Sequence, residues 1–96
     1  MNKKRLKQKL KEVNEQIDTT NVFIKRCMVI YYRPIEYDPD TRMCFPDERM
    51  RNYAWASAEN MIKMRAEYMQ KAERIKELIR KEEEREEQEK HQQNDM

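Results

Sequence analysis

Apolar positions recur at alternating intervals of four and three along the first third of the chain: Leu6, Leu10, Val13, Ile17, Thr20, Ile24, Cys27 and Tyr31. Leu6, Val13, Thr20 and Cys27 form one heptad column, and Leu10, Ile17, Ile24 and Tyr31 form the other. An ordinary amphipathic helix drifts away from a strict seven-residue repeat. The sustained register therefore predicts a helix over about 3–31 that packs in coiled-coil fashion. Thr19, Thr20 and Asn21 are weak helix formers in its middle. A second stripe with the same spacing runs through Ala54, Ala58, Met61, Arg65, Tyr68, Ala72, Ile75 and Ile79. It predicts a helix over about 47–90, opened by Pro46, with Asp47 and Glu48 in the positively polarised first turn.

Residues 32–45 have no helical period. Pro34 and the Asp38-Pro39-Asp40 turn signal mark this 14-residue stretch as a connection. Ile35, Tyr37, Met43 and Phe45 are too many apolar groups for a solvated linker, so the connection is expected to pack against a helix. From Lys81 to Gln93 there is no apolar residue. Residues 82–96 are accordingly expected to be solvated helix fraying into a disordered, acidic and polar end. The predicted fold is all-α, a single-domain antiparallel two-helix hairpin resembling a coiled coil. Setting Leu6 against Ile79 pairs Leu10 with Ile75, Val13 with Ala72 and Ile17 with Tyr68. The layers continue as Thr20 with Arg65, Ile24 with Met61, Cys27 with Ala58 and Tyr31 with Ala54.

Composition narrows the picture. Charged residues are 42% of the chain and hydrophobic residues 38%, so any core is thin. Glycine is absent, which argues against a β-rich fold and against phosphate-cradling loops. Residues 1–33 carry nine basic and three acidic side chains, whereas residues 34–96 carry twelve and sixteen. In the paired register Lys3, Lys4 and Arg5 approach Glu82, Glu83 and Glu84. The asymmetry then reads as two ends of a hairpin attracting each other, each exposed pair worth about 0–1 kcal/mol. The other reading is a nucleic-acid contact through Lys3, Lys4, Arg5, Lys7, Lys9 and Lys11.

Catalytic and metal chemistry find no footing in the residue inventory. His91 is the sole histidine, Ser57 the sole serine, and the two cysteines lack CxxC spacing, so neither a zinc site nor a hydrolase triad can be assembled. No cofactor-binding motif is present. Cys27 and Cys44 are expected to be free thiols in a reducing intracellular compartment, the cytoplasm or an organelle such as the mitochondrion. No apolar run approaches the roughly 20 residues that span a bilayer.

What the second helix does have is surplus apolar surface. Trp55, Ile62 and Met69 recur every seven residues beside the first stripe, flanked by Met50 and Ala66. Two coverings are open: the connection folding back through Ile35, Tyr37, Met43 and Phe45, or another chain, whether a second copy or a different protein. Together these features point to a non-enzymatic protein–protein interaction module, a small structural, accessory or adaptor subunit or an inhibitor-type binder. The alternative is a helical protein that binds nucleic acid without sequence preference.

Overall fold

The computed structural model describes residues 2–94, with side chains described through Lys90. Residues 95 and 96 of the expected disordered end, and the His91 side chain, lie outside the described residues. The chain runs α1 (Lys3–Tyr32), β1 (Glu36–Asp38), β2 (Met43–Phe45) and α2 (Glu48–Asn94). The two helices pack against each other, and the strands form a short antiparallel pair in the connection.

Both helices begin on a capping side chain. Asn2 accepts the Arg5 N–H through Oδ1 at 3.0 Å, and its carbonyl accepts the Leu6 N–H. Asp47 does the same for α2, taking the Met50 N–H on Oδ1 at 2.7 Å and the Arg51 N–H on its carbonyl. Each cap satisfies donors that a helix start leaves orphaned, and the Asp47 carboxylate also sits at the positive end of the helix dipole. Asp47 is thus the cap itself, one position before the first turn.

The fold divides into two compact units, Met1–Ile17 with Glu67–Met96 and Asp18–Ala66. In the first, Leu6, Val13, Ala72 and Ile75 are buried, with Leu10, Ile17, Tyr68 and Ile79 packed around them. These eight are the heptad positions expected there. Lys3 Nζ reaches Glu83 and Glu86, each at 3.5 Å. Other acids of this stretch are engaged along the helix: Arg80 pairs with Glu77 and Glu84, and Arg85 with Glu82 and Glu89. Such i,i+3 and i,i+4 pairs, with strong helix formers, hold a helix where no apolar face exists.

In the second unit, Thr20, Ala54, Ala58 and Pro46 are buried. Next to the buried Thr20, Arg65 Nη1 donates to Asn21 Oδ1 at 2.8 Å, which gives the guanidinium a partner in this polar layer.

The connection overturns the expectation that it packs against a helix. Glu36 pairs with Phe45, Tyr37 with Cys44 and Asp38 with Met43 in an antiparallel ribbon. Ile35, Tyr37, Met43 and Phe45 are all exposed. The register divides the apolar groups between the two sides of the ribbon: Tyr37 shares one side with Cys44, while Met43 and Phe45 share the other with Glu36 and Asp38. The turn also forms without the glycine such turns favour. Asp38 Oδ1 accepts the Asp40 N–H at 3.0 Å, and Arg42 takes the left-handed conformation at φ 56°. That conformation costs a non-glycine residue about 1–2 kcal/mol. The Phe45–Pro46 peptide is cis.

Two outcomes follow from this packing. Ile75→Ala should lower unfolding stability by about 2–4 kcal/mol in urea titration, more than Ile79→Ala at the half-buried edge of the same cluster. The hydrogen bonds from Arg80 and Arg85 hold the Glu77 and Glu82 carboxyls below 4.5, the ordinary value. Because the folded values are depressed, the pairs stabilise the helix above the ordinary carboxylate range and lose that effect as pH falls through it. Carboxyl carbon titration by NMR should place both midpoints below 4.5, and Arg80→Gln should restore that of Glu77 but not that of Glu82.

Candidate interaction surface

Tyr31, in the last turn of α1, is held by two residues one turn apart on α2. Arg51 Nε donates to the Tyr31 carbonyl at 2.9 Å, and its guanidinium lies over the Tyr31 ring, 5.3 Å from the centroid. Trp55 meets the same ring at a centroid distance of 4.9 Å, tilted by 40°. The carbonyl is one of the four that a helix C-terminus leaves without an internal partner, so Arg51 both satisfies it and places a cation at the negative end of the dipole. Trp55 Nε1 donates to Glu59 Oε1 at 3.0 Å, which fixes the indole along its own helix.

The proposed contact residues are distributed unevenly. Trp55 (41% exposed) and Ile62 (40%) lie one heptad apart on α2, with Ala66 exposed one turn further on. Tyr31 partly covers Trp55, and of the two coverings left open by the sequence, the connection keeps Ile35, Tyr37, Met43 and Phe45 exposed. Met50 is five residues from Trp55, about 140° around the helix. It lines a shallow apolar groove with Cys27, Ile30, Tyr53 and Ser57 instead. Met69 belongs to the other unit, where it lines an open groove with Ile17 and Ala72.

The basic N-terminal set is likewise divided. Lys3 is engaged with Glu83 and Glu86, while Lys4, Arg5, Lys7, Lys9 and Lys11 are exposed. Lys4, Lys7 and Lys11 share one side of α1 by their spacing, and Arg5 and Lys9 turn away from it. Among the described residues no cluster of metal-ligating side chains occurs, and no helix is long and apolar enough to cross a membrane. Cys27 is half-buried and Cys44 exposed, and both are free thiols.

Sequence reasoning missed two features. The Tyr31–Arg51 contact depends on an arginine reaching across the seam, which no spacing rule signals. The second is an apolar face on α1 itself, where Val22, Phe23, Val29 and Tyr32 are exposed. Val22 and Val29 stand one heptad apart and outside both seam columns, a signal that was present but faint.

No protein-family model, curated protein or solved structure matches this chain.

Arg51→Met keeps an unbranched apolar stem but removes the guanidinium that donates to the Tyr31 carbonyl and lies over its ring. It should cost about 1–2 kcal/mol, the usual loss for a charged hydrogen bond to a half-buried acceptor. Trp55 is the only tryptophan, so its emission should shift as the Tyr31 ring loosens.

Proposed function

We propose that the chain is a non-enzymatic protein–protein interaction module, a small accessory or adaptor subunit that docks onto another protein or a second copy through the apolar side of α2 around Trp55 and Ile62. One observation carries this reading. Among the described residues, all the exposed large hydrophobic side chains except Met69 and Leu78 fall within residues 18–66. Scattered exposed hydrophobics are ordinary on any protein, but their concentration in one compact unit is the mark of a surface made to be covered. Trp and Tyr dominate the energetics of such contacts because they bury large area at little entropic cost.

The residue inventory also favours binding over catalysis, since nothing brings a nucleophile, a base and an orienting group together. Nucleic-acid binding has less support. Its basic set is split around α1, Lys3 is engaged by carboxylates, and the acids of α2 beside it would repel phosphate.

Trp55→Ala and Ile62→Glu should each weaken self-association or partner binding at least tenfold. Light scattering across a range of concentrations, with quantitative binding to partners isolated from the native source, would measure the loss. Ile62→Glu should leave the melting temperature nearly unchanged, because its side chain is already substantially exposed. If both variants retain the molar mass and partner binding of the original chain, this surface is not the docking site.

A further inference from the structure

The outward side of α1 between Val22 and Arg33 has a different character from the α2 surface. Val22, Arg26 and Val29 follow one another at four and three residues, which aligns them along one line of the helix, and Arg33 follows directly after the helix ends at Tyr32. Phe23, Lys25 and Tyr32 flank that line. Val29 and Tyr32 are 67% and 70% exposed, among the most open apolar side chains in the protein. Val22, Lys25, Arg26, Val29 and Ile30 line a shallow apolar groove along the helix.

The charge on this side is of one sign and uncompensated. No acidic residue occurs between Asp18 and Glu36. None of Lys25, Arg26 and Arg33 forms an ion pair among the described residues. Two of them rest on aromatic rings instead: the Arg26 guanidinium lies 6.0 Å from the Phe23 centroid, and that of Arg33 lies 5.1 Å from the Phe45 centroid. A guanidinium lying against a ring has its rotamers restricted while its N–H edge stays open. That combination favours bidentate capture of a carboxylate.

The geometry points to a second docking surface here, whose occupant is an acidic amphipathic helix of a partner protein. Its apolar side chains would enter the groove between Val22 and Val29, and its Glu or Asp side chains would meet Arg26, Arg33 and Lys25. Ridge-into-groove packing between helices requires this alternation of knobs and hollows, and carboxylates at matching intervals neutralise the three cations. An anionic membrane or a nucleic acid would supply negative charge too, but the neighbouring ribbon disfavours both. Phe45, which Arg33 touches, pairs with Glu36, and the same ribbon carries Asp38 and Asp40. A broad anionic surface seated on Arg33 would meet those carboxylates, whereas a helix about 10 Å wide can avoid them. The surface is separate from the Trp55 side of α2 and stands or falls independently of it.

The test uses the full chain and a synthetic helix of about 20 residues, long enough to be helical alone, with a leucine stripe flanked by glutamates. Binding is read by fluorescence anisotropy of the labelled peptide at low and physiological salt. The peptide should bind, and more weakly as salt rises. Arg26→Glu combined with Arg33→Glu should weaken it at least tenfold, and a peptide with lysine in place of glutamate should recover binding to that variant. Val29→Asp, at an open position that contributes nothing to the seam, should also weaken it and serves as the check if the double variant loses helix content. Trp55→Ala should leave peptide binding unchanged. Absence of peptide binding overturns the proposal, as does binding indifferent to the arginine reversals. Phosphatidylserine-containing vesicles and a labelled DNA duplex complete the set. If either binds in an Arg26- and Arg33-dependent way while the peptide does not, the occupant is that anion and the proposal fails.

Discussion

Ala54, Ala58 and Ala72 stand where α2 meets α1, and all three are buried. Their small size lets the two helix backbones approach closely, since the separation of packed helices follows the side chains at the contact. On the α1 side the buried residues are larger: Leu6, Val13 and Thr20. Everything else depends on this narrow seam. One partner helix can cover only one stripe of α2, and the exposed side chains of the short ribbon leave the rest open. The apolar surface left over around Trp55 and Ile62, and on α1 at Val22 and Val29, is the geometric remainder of a two-helix fold.

Much of the seam was legible in the sequence because a heptad is a long-range regularity with a single physical cause. Leu6, Leu10, Val13, Ile17, Tyr68, Ala72, Ile75 and Ile79 lie on one side of their helices by spacing alone, and the structure packs those sides into one cluster. The start of α2 was legible from Pro46 and the acids after it, but the capping roles of Asn2 and Asp47 emerged only with the structure. The ribbon was not. Its turn needs one residue at positive φ, and with glycine absent nothing pointed to Arg42 as the residue that would adopt it. The side chains in the ribbon were misjudged because hydrophobicity alone does not separate a segment that is covered from one that waits to be. At the candidate surface, the i,i+7 spacing of Trp55 and Ile62 was readable. The placement of Met50 in a groove with Cys27 and Ile30 required the angular position around α2 as well as proximity in sequence.

The long polar end of α2 shows how a helix is maintained without burial. From Lys81 to Gln93 no apolar residue is available, yet the helix runs on to Asn94. Arginines placed among glutamates at three- and four-residue intervals supply local attraction on successive turns, and every one of those pairs is open to solvent. The same residues that hold this stretch helical keep it from adhering to apolar surfaces. Exposed apolar side chains thus concentrate in residues 18–66, and charged ones at the C-terminal end of α2.

The Arg51–Tyr31 contact has a consequence for how the chain reaches its fold. Its two residues are 20 apart in sequence, whereas Lys3 and Glu86 are 83 apart. Closing the shorter loop costs less chain entropy, by about 1 kcal/mol on the logarithmic dependence of closure on length. Once the Tyr31 carbonyl is capped and Trp55 lies against its ring, each later seam layer closes only a small additional loop. On chain entropy alone, the contacts of Tyr31 with Arg51 and Trp55 are cheaper to close than those that join the two ends of the chain.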